Sequence, residues 1–403
     1  MPPSTRAPVA LVVFGVTGDL FAKKIAPALS ALWEKKELPE RFRVFGVARR
    51  QKSALNFRLP FPFSYIRGDF ENPTSYDTLL AALNTNDAEW GMCSDKLFYL
   101  STPPAISEII LKNIAASKLA QTCADDTRST HLLIEKPFGR DRESARALDR
   151  LLKKTFAEKQ IYRIDHYLFK RALQNVWNFR LSHELFGAAW SAETIARIEA
   201  RLLEKEGVEG RGAFYDSVGA LRDVGQNHLL QMLALATMER PARDTPEGLR
   251  AARARVLARL APALPFARAQ YRGYRTLPDV SPRSDTETYF NISATLRTPL
   301  WRGVPIVLEG GKKQPETKKE IAIYFKNGES VVFQLEPDSA IFINKTRLLL
   351  ETKTQSRDAY EALIADALAG DRTHFVGNAE VRVAWNFADA TRREWRKTPL
   401  VIG

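Results

Sequence analysis

Cysteine is nearly missing from this chain, with two residues, Cys93 and Cys123, among 403. So few exclude a disulfide framework, and without a CxxC pair no metal-ligand pattern remains, so no metal is expected. Such sparing use fits a reducing compartment, and a cytoplasmic protein is expected. Long apolar runs are also missing. The longest clean one, VALVVFGV, falls far short of the ~20 residues that span a bilayer, so no membrane partner is expected. The opening MPPSTRAPVA has no cationic segment leading into a long apolar core, so a signal peptide is not expected. There is no internal repeat, no low-complexity linker, no long basic tail and no recognisable nucleic-acid motif. The net charge is nevertheless +13. With the basic residues dispersed, that charge points away from nucleic acid and toward a phosphorylated substrate or cofactor. Histidine is scarce as well: five residues in all.

What is present is length and pattern. A chain of 403 residues, 45% hydrophobic, is large enough for two or three domains. Residues 9–14, VALVVF, form the apolar, β-branched run of a buried parallel strand. GVTGDL follows, then a helical pattern over 19–36. Further strands are expected at 42–48, 96–104 and 131–139, with helices to about 120 and over 141–157, and a loop over 51–63. Strand and helix alternate, as in a doubly wound parallel sheet. Past residue 160 the pattern becomes helices at 168–182, 217–238 and 246–258. Strands follow at 286–296, 304–309, 320–325, 330–335 and 340–345, and a final helix over 356–369. The expected architecture is an α/β Rossmann-like coenzyme domain over 1–160. An α+β domain with a large, mostly antiparallel sheet covers 161–403.

The turn after the first strand holds two of the three glycines of the dinucleotide pattern GxGxxG. Gly15 would let backbone approach a pyrophosphate, and Gly18 would let the helix sit close to the strand. The helix N-terminus adds unpaired N–H groups for the phosphates. NAD-binding folds usually end the second strand with an acid for the ribose hydroxyls. Here it ends in Ala48-Arg49-Arg50, and arginine suits a 2′-phosphate. NADP is therefore the expected coenzyme, with NAD a weaker alternative.

Several segments together resemble the glucose-6-phosphate dehydrogenase family: GVTGDLFAKKIAP (15–27), FGVARR (45–50), IEKPFGRD (134–141), YRIDHYLFK (162–170), EGRGAFYDSVGALRDVGQNHLLQMLALATMERP (209–241) and WRGVPIVLEGGK (301–312). The resemblance implies oxidation of the C1 hydroxyl of glucose 6-phosphate to 6-phosphogluconolactone with reduction of NADP, at the entry to the oxidative pentose phosphate pathway. It also implies a homodimer or homotetramer, with the large sheet as a dimer face. On the cofactor side it brings in Thr17, Asp19, Leu20, Lys136 and Pro137 beside Gly15, Gly18, Arg49 and Arg50.

That chemistry needs a base for the C1 hydroxyl proton, and histidine suits the task. A carboxylate on its other ring nitrogen would fix the tautomer. His166 and His228 both qualify. The resemblance implies that His228 is the base and Asp165 its partner, two segments some sixty residues apart. It assigns the sugar phosphate to His166, Tyr167 and Lys170, with Lys24, Lys136 and Lys312 nearby. Glu204 and Asp223 would hold sugar hydroxyls, since a carboxylate can accept from a diol. Phe169 replaces a family glycine. Thr317 replaces a basic residue that meets substrate, with Lys318 or Lys319 able to substitute. Glu309 stands where an arginine helps bind a second, structural NADP in animal enzymes. These departures set two alternatives beside the main reading: a dehydrogenase of another aldose or aldose phosphate, and a non-catalytic NADP-binding relative.

Overall fold

The computed structural model describes residues 7–51, 59–121, 129–182, 190–348, 357–395 and 397–403. The chain divides into two compact units. The first comprises Met1–Gly139, Glu143–His166 and Arg357–Asn378. The second comprises Arg140–Arg142, Tyr167–Ser356 and Ala379–Gly403.

The first unit is built on parallel strands β1 (Val9–Phe14), β2 (Phe42–Ala48), β3 (Phe63–Arg67), β4 (Asp95–Leu100), β5 (Thr130–Glu135) and β6 (Ile161–Ile164), in the order β3-β2-β1-β4-β5-β6. Every residue of β1 is buried, so the continuous apolar run is covered on both faces. The expected helix after β1 changes its winding. A wide π-helical turn, Phe21–Ile25, runs into an α-helix at Ala26–Glu34, just before Pro27, which has no N–H for the ladder. The helix Pro73–Trp90 forms where no element is expected. Its ends define it: Asn72 Oδ1 accepts from the Thr74 N–H at 3.1 Å, and Gly91 closes it at φ +66°.

The expected last helix forms at Ala359–Ala369 and belongs to the first unit. It packs against Ala26–Glu34, tied by Lys35–Glu361 at 2.5 Å and Arg357–Glu37 at 2.7 Å. Arg163, on β6 and 2% exposed, pairs with Glu158 at 2.8 Å, and its backbone bridges to Val376. A further helix, Asn378–Trp395, follows where none was expected.

The second unit holds β7 (Ile195–Leu203), β8 (Leu260–Gln270), β9 (Tyr289–Leu296), β10 (Ile306–Gly311), β11 (Lys318–Phe325), β12 (Ser330–Glu336), β13 (Ala340–Ile343), β14 (Thr346–Leu348) and β15 (Leu400–Ile402). Their order is β14-β13-β12-β11-β7-β10-β9-β8-β15. Neighbours are antiparallel apart from β7 with β10 and β8 with β15. Four of these strands, β7, β8, β14 and β15, form where the sequence pattern predicts none. β7 places Arg197, Glu199 and Arg201 on one side, and Arg201 meets Glu309 at 3.0 Å and Glu320 at 2.9 Å across the ladder. β8 contains Pro262 and Pro265 and accommodates them with a shift in pairing between Ala263 and Phe266. A buried helix packs on this sheet: π-helical over Leu221–Leu229, then α-helical over Leu230–Thr237.

One expectation is corrected outright. Cys93 is disulfide-bonded rather than unbridged. The other cysteine of the sequence, Cys123, lies outside the described residues. Cysteine usage therefore supplies no argument about compartment.

Candidate functional site

In the first unit the strand order reverses between β1 and β4, the place where open α/β sheets leave a crevice at the strands' carboxyl ends. Gly15 leaves β1 at φ +96°. A Cβ there would fall 2.9 Å from the Ser101 carbonyl oxygen and 2.9 Å from the Thr102 methyl. The site therefore demands glycine both for its backbone angle and for room. Gly18 N donates to the Gly15 carbonyl at 2.9 Å, closing the turn that starts the helix. The resulting cavity, about 570 Å³, is lined by Gly15, Thr17, Gly18, Arg49 and Arg50, all expected, together with Ser101, Thr102 and Ile106. The last three follow β4 and carried no signal beyond the prolines that stop that strand. Arg49 extends over the Phe70 ring, 5.9 Å from its centroid. A cradle that a Cβ would fill, flanked by two arginines, fits a phosphorylated dinucleotide.

The other expected residues of this unit are placed as follows. Asp19 pairs with Lys23 at 2.8 Å and is largely exposed, Leu20 starts the π-helical turn, and Lys24 lies on it with an exposed side chain. Lys136 and Pro137 follow β5, joined by a cis peptide bond. Beside them, Glu135 accepts from the Tyr99 hydroxyl at 2.6 Å. Burial pushes its carboxyl up to about 7, against the opposing pull of Tyr99 and Lys136. Asp165, just past β6, is 1% exposed. His166 stacks on Tyr360 with ring centroids 6.2 Å apart.

The second unit brings six expected residues into an unbroken chain of contacts. His228, on the π-helical segment and 2% exposed, stacks on Tyr167 at 4.0 Å between centroids. The extra residue per turn of such a segment redirects side chains, a device common at functional sites. Gly225 permits the helix to sit here, since a Cβ would come 3.0 Å from Phe290. Lys170 lies 4.3 Å over the Tyr167 ring and pairs with Glu336. Glu336 pairs at 2.7 Å with Lys319, which reaches Glu204 at 3.0 Å. Glu204 pairs with Lys312, which lies 3.6 Å from Asp223.

Burial alone would raise Glu204, but Lys312 and Lys319 overcome it and hold the carboxyl at about 2. Tyr167 is raised by its burial. Lys319 is raised too: burial works against its charge, and Tyr167, Glu336 and Glu204 outweigh that. Of the two lysines expected to substitute at Thr317, Lys319 is the one in the cluster. Lys318 is more exposed and lies 3.6 Å from Glu320 instead. Phe169, expected beside the phosphate, is 2% exposed. Glu336 had no sequence signal.

Comparison with known proteins matches two family descriptions in succession along the chain. Residues 12–62 and 58–175 match the family described as glucose-6-phosphate dehydrogenase, NAD binding domain. Residues 177–355 and 337–402 match glucose-6-phosphate dehydrogenase, C-terminal domain. A glucose-6-phosphate 1-dehydrogenase of Chlamydia pneumoniae is 31% identical, over 98% of this chain and 90% of its own. One from Bacillus subtilis strain 168 is also 31% identical, over 96% and 91%. A solved structure of glucose-6-phosphate dehydrogenase in complex with glucose-6-phosphate superposes with a TM-score of 0.89 at 30% identity, covering 99% of this chain and 95% of that one.

Proposed function

Because this chain belongs to the glucose-6-phosphate dehydrogenase family, we propose that it oxidises the C1 hydroxyl of glucose 6-phosphate to 6-phosphogluconolactone and reduces NADP, the first step of the oxidative pentose phosphate pathway. The observation that carries this reading is the run of contacts from His228 through Tyr167, Lys170, Glu204 and Lys312 to Asp223. It unites a base, cations for a phosphate and carboxylates for a diol in one unit.

His228 takes the proton from the C1 hydroxyl as the hydride departs, and Asp165 braces the imidazolium that results. Glu204 and Asp223 accept from ring hydroxyls and fix which carbon meets the base. Lys170, Tyr167 and His166 hold the 6-phosphate, with Lys312, Lys24 and Lys136 adding positive charge. On the coenzyme side, Gly15, Thr17, Gly18, Asp19 and Leu20 carry the pyrophosphate at the start of the helix. Arg49 and Arg50 take the 2′-phosphate, and Lys136 and Pro137 orient the nicotinamide end. Bound there, the nicotinamide supplies the hydride acceptor.

The protein acts as a homodimer or homotetramer through its large sheet. It acts in the cytoplasm, where a charged sugar phosphate is made and retained. Among the described residues no helix is long and apolar enough to cross a membrane.

The test is direct. Purified protein with NADP and glucose 6-phosphate should accumulate reduced coenzyme, and glucose 6-phosphate should outperform galactose 6-phosphate and glucose. Absence of turnover on every sugar phosphate defeats the reading.

A further inference from the structure

We infer that Glu336 is a built-in competitor for the substrate's phosphate, holding Lys170 and Lys319 until a sugar phosphate displaces it, and so setting how far this protein prefers phosphorylated over free sugar. The inference rests on the proposed function.

Glu336 ends β12 and lies directly opposite Lys319 on β11. The pairing shifts between Lys319 and Glu320, where both residues are buried. An irregularity of this kind re-aims a side chain, and here it leaves Lys319 in the cluster. Its ammonium is fixed between Glu336 at 2.7 Å and Glu204 at 3.0 Å. The other Glu336 oxygen takes Lys170, the lysine over the Tyr167 ring.

The charges decide the consequence. Lys170, Lys312 and Lys319 face Glu204, Asp223 and Glu336, so the cluster is neutral as it stands. A phosphate dianion needs unpaired donors, and a carboxylate on the same two lysines both occupies them and repels it. Glu204 and Asp223 are needed for sugar hydroxyls. Glu336 is the carboxylate that must leave. Its side chain is 32% exposed, against 11% for Lys319, so it can turn to solvent while the lysine stays. Burial would raise Glu336, yet Lys170 and Lys319 hold it below the usual carboxylate range, so it is charged at neutral pH.

Glu336→Gln keeps the shape and removes the charge. The ratio of kcat/KM for glucose 6-phosphate over glucose should rise about tenfold, mainly through KM for the phosphorylated sugar. Calorimetric titration with inorganic phosphate, at saturating NADP, should show binding tightened about tenfold. An unchanged or lowered ratio overturns the inference, as does phosphate binding that fails to tighten. The calorimetry needs no turnover. A protein inactive on every sugar phosphate would therefore sink the functional reading separately, and inorganic phosphate would still decide the role of Glu336.

Discussion

Glu135 in the first unit and Glu204 in the second start from the same carboxylate chemistry and end about five pH units apart, at about 7 and about 2. Burial pushes both upward. At Glu135 the nearest partners are the Tyr99 hydroxyl, Tyr360, Asp165 and a single lysine, and burial wins. At Glu204 two ammonium groups are in contact, and they win. The units thus use opposite electrostatics. The first shapes its cavity with backbone and glycine, and two arginines are the charged residues lining it. The second interlocks three lysines with three carboxylates in its cluster. A dinucleotide can be cradled by N–H groups and shape, whereas a small polyol with a phosphate must be recognised atom by atom.

The largest expected effect separates the two units. His228→Asn should lower kcat by about 10²–10⁴, the usual contribution of a general base. NADP affinity, followed by fluorescence, should stay within about twofold, because the cradle at Gly15 is untouched. A full rate in the variant removes His228 from the mechanism, and a large loss of NADP affinity would show that the units do not divide the work.

A smaller effect comes from Glu135 itself. Its folded-state value, about 7, lies above the ordinary 4.5, so the folded protein holds this proton more tightly than the unfolded one. That contribution to stability is complete below about pH 4.5 and is lost as the pH rises through about 7. Wild type should lose about 1–3 kcal/mol between pH 5 and pH 8 that Glu135→Gln retains, as read by urea unfolding at each pH. Glu204 has the reverse sign: its contribution is present above about pH 4.5 and is lost as the pH falls toward 2. Parallel pH profiles for wild type and Glu135→Gln would break the contrast.

Much of this was legible in the sequence, for physical reasons that differ by element. VALVVF followed by GVTG announces a covered strand and a glycine turn, because a parallel sheet leaves its strands no polar face. RIDHYLFK and QNHLLQM carried the site through their resemblance to a family, and the second unit places Tyr167, Lys170 and His228 in contact. Strand β7 was not legible. Its charges are neutralised by β10 and β11, which lie more than a hundred residues downstream. Glu336 was invisible for the same reason. Its meaning depends on the pairing of β11 with β12 and on a one-residue irregularity at Lys319. Local pattern finds what the chain does to itself, and it misses what a distant strand brings.

The smallest expected effect tests whether the cavity of the first unit uses its charge as sparingly as it looks. Arg49 and Arg50 are its two cations on the cavity wall, at the end of β2 where an acid would select NAD. If they bind only the 2′-phosphate, replacing both with alanine removes charge-assisted hydrogen bonds that NAD never makes. The ratio of kcat/KM for NADP over NAD should then fall about tenfold or more, with the NAD value within about twofold of wild type. An equal fall for both coenzymes would move the arginines to the shared pyrophosphate. The first unit would then recognise its ligand by charge as the second does, and the difference between them would be one of degree.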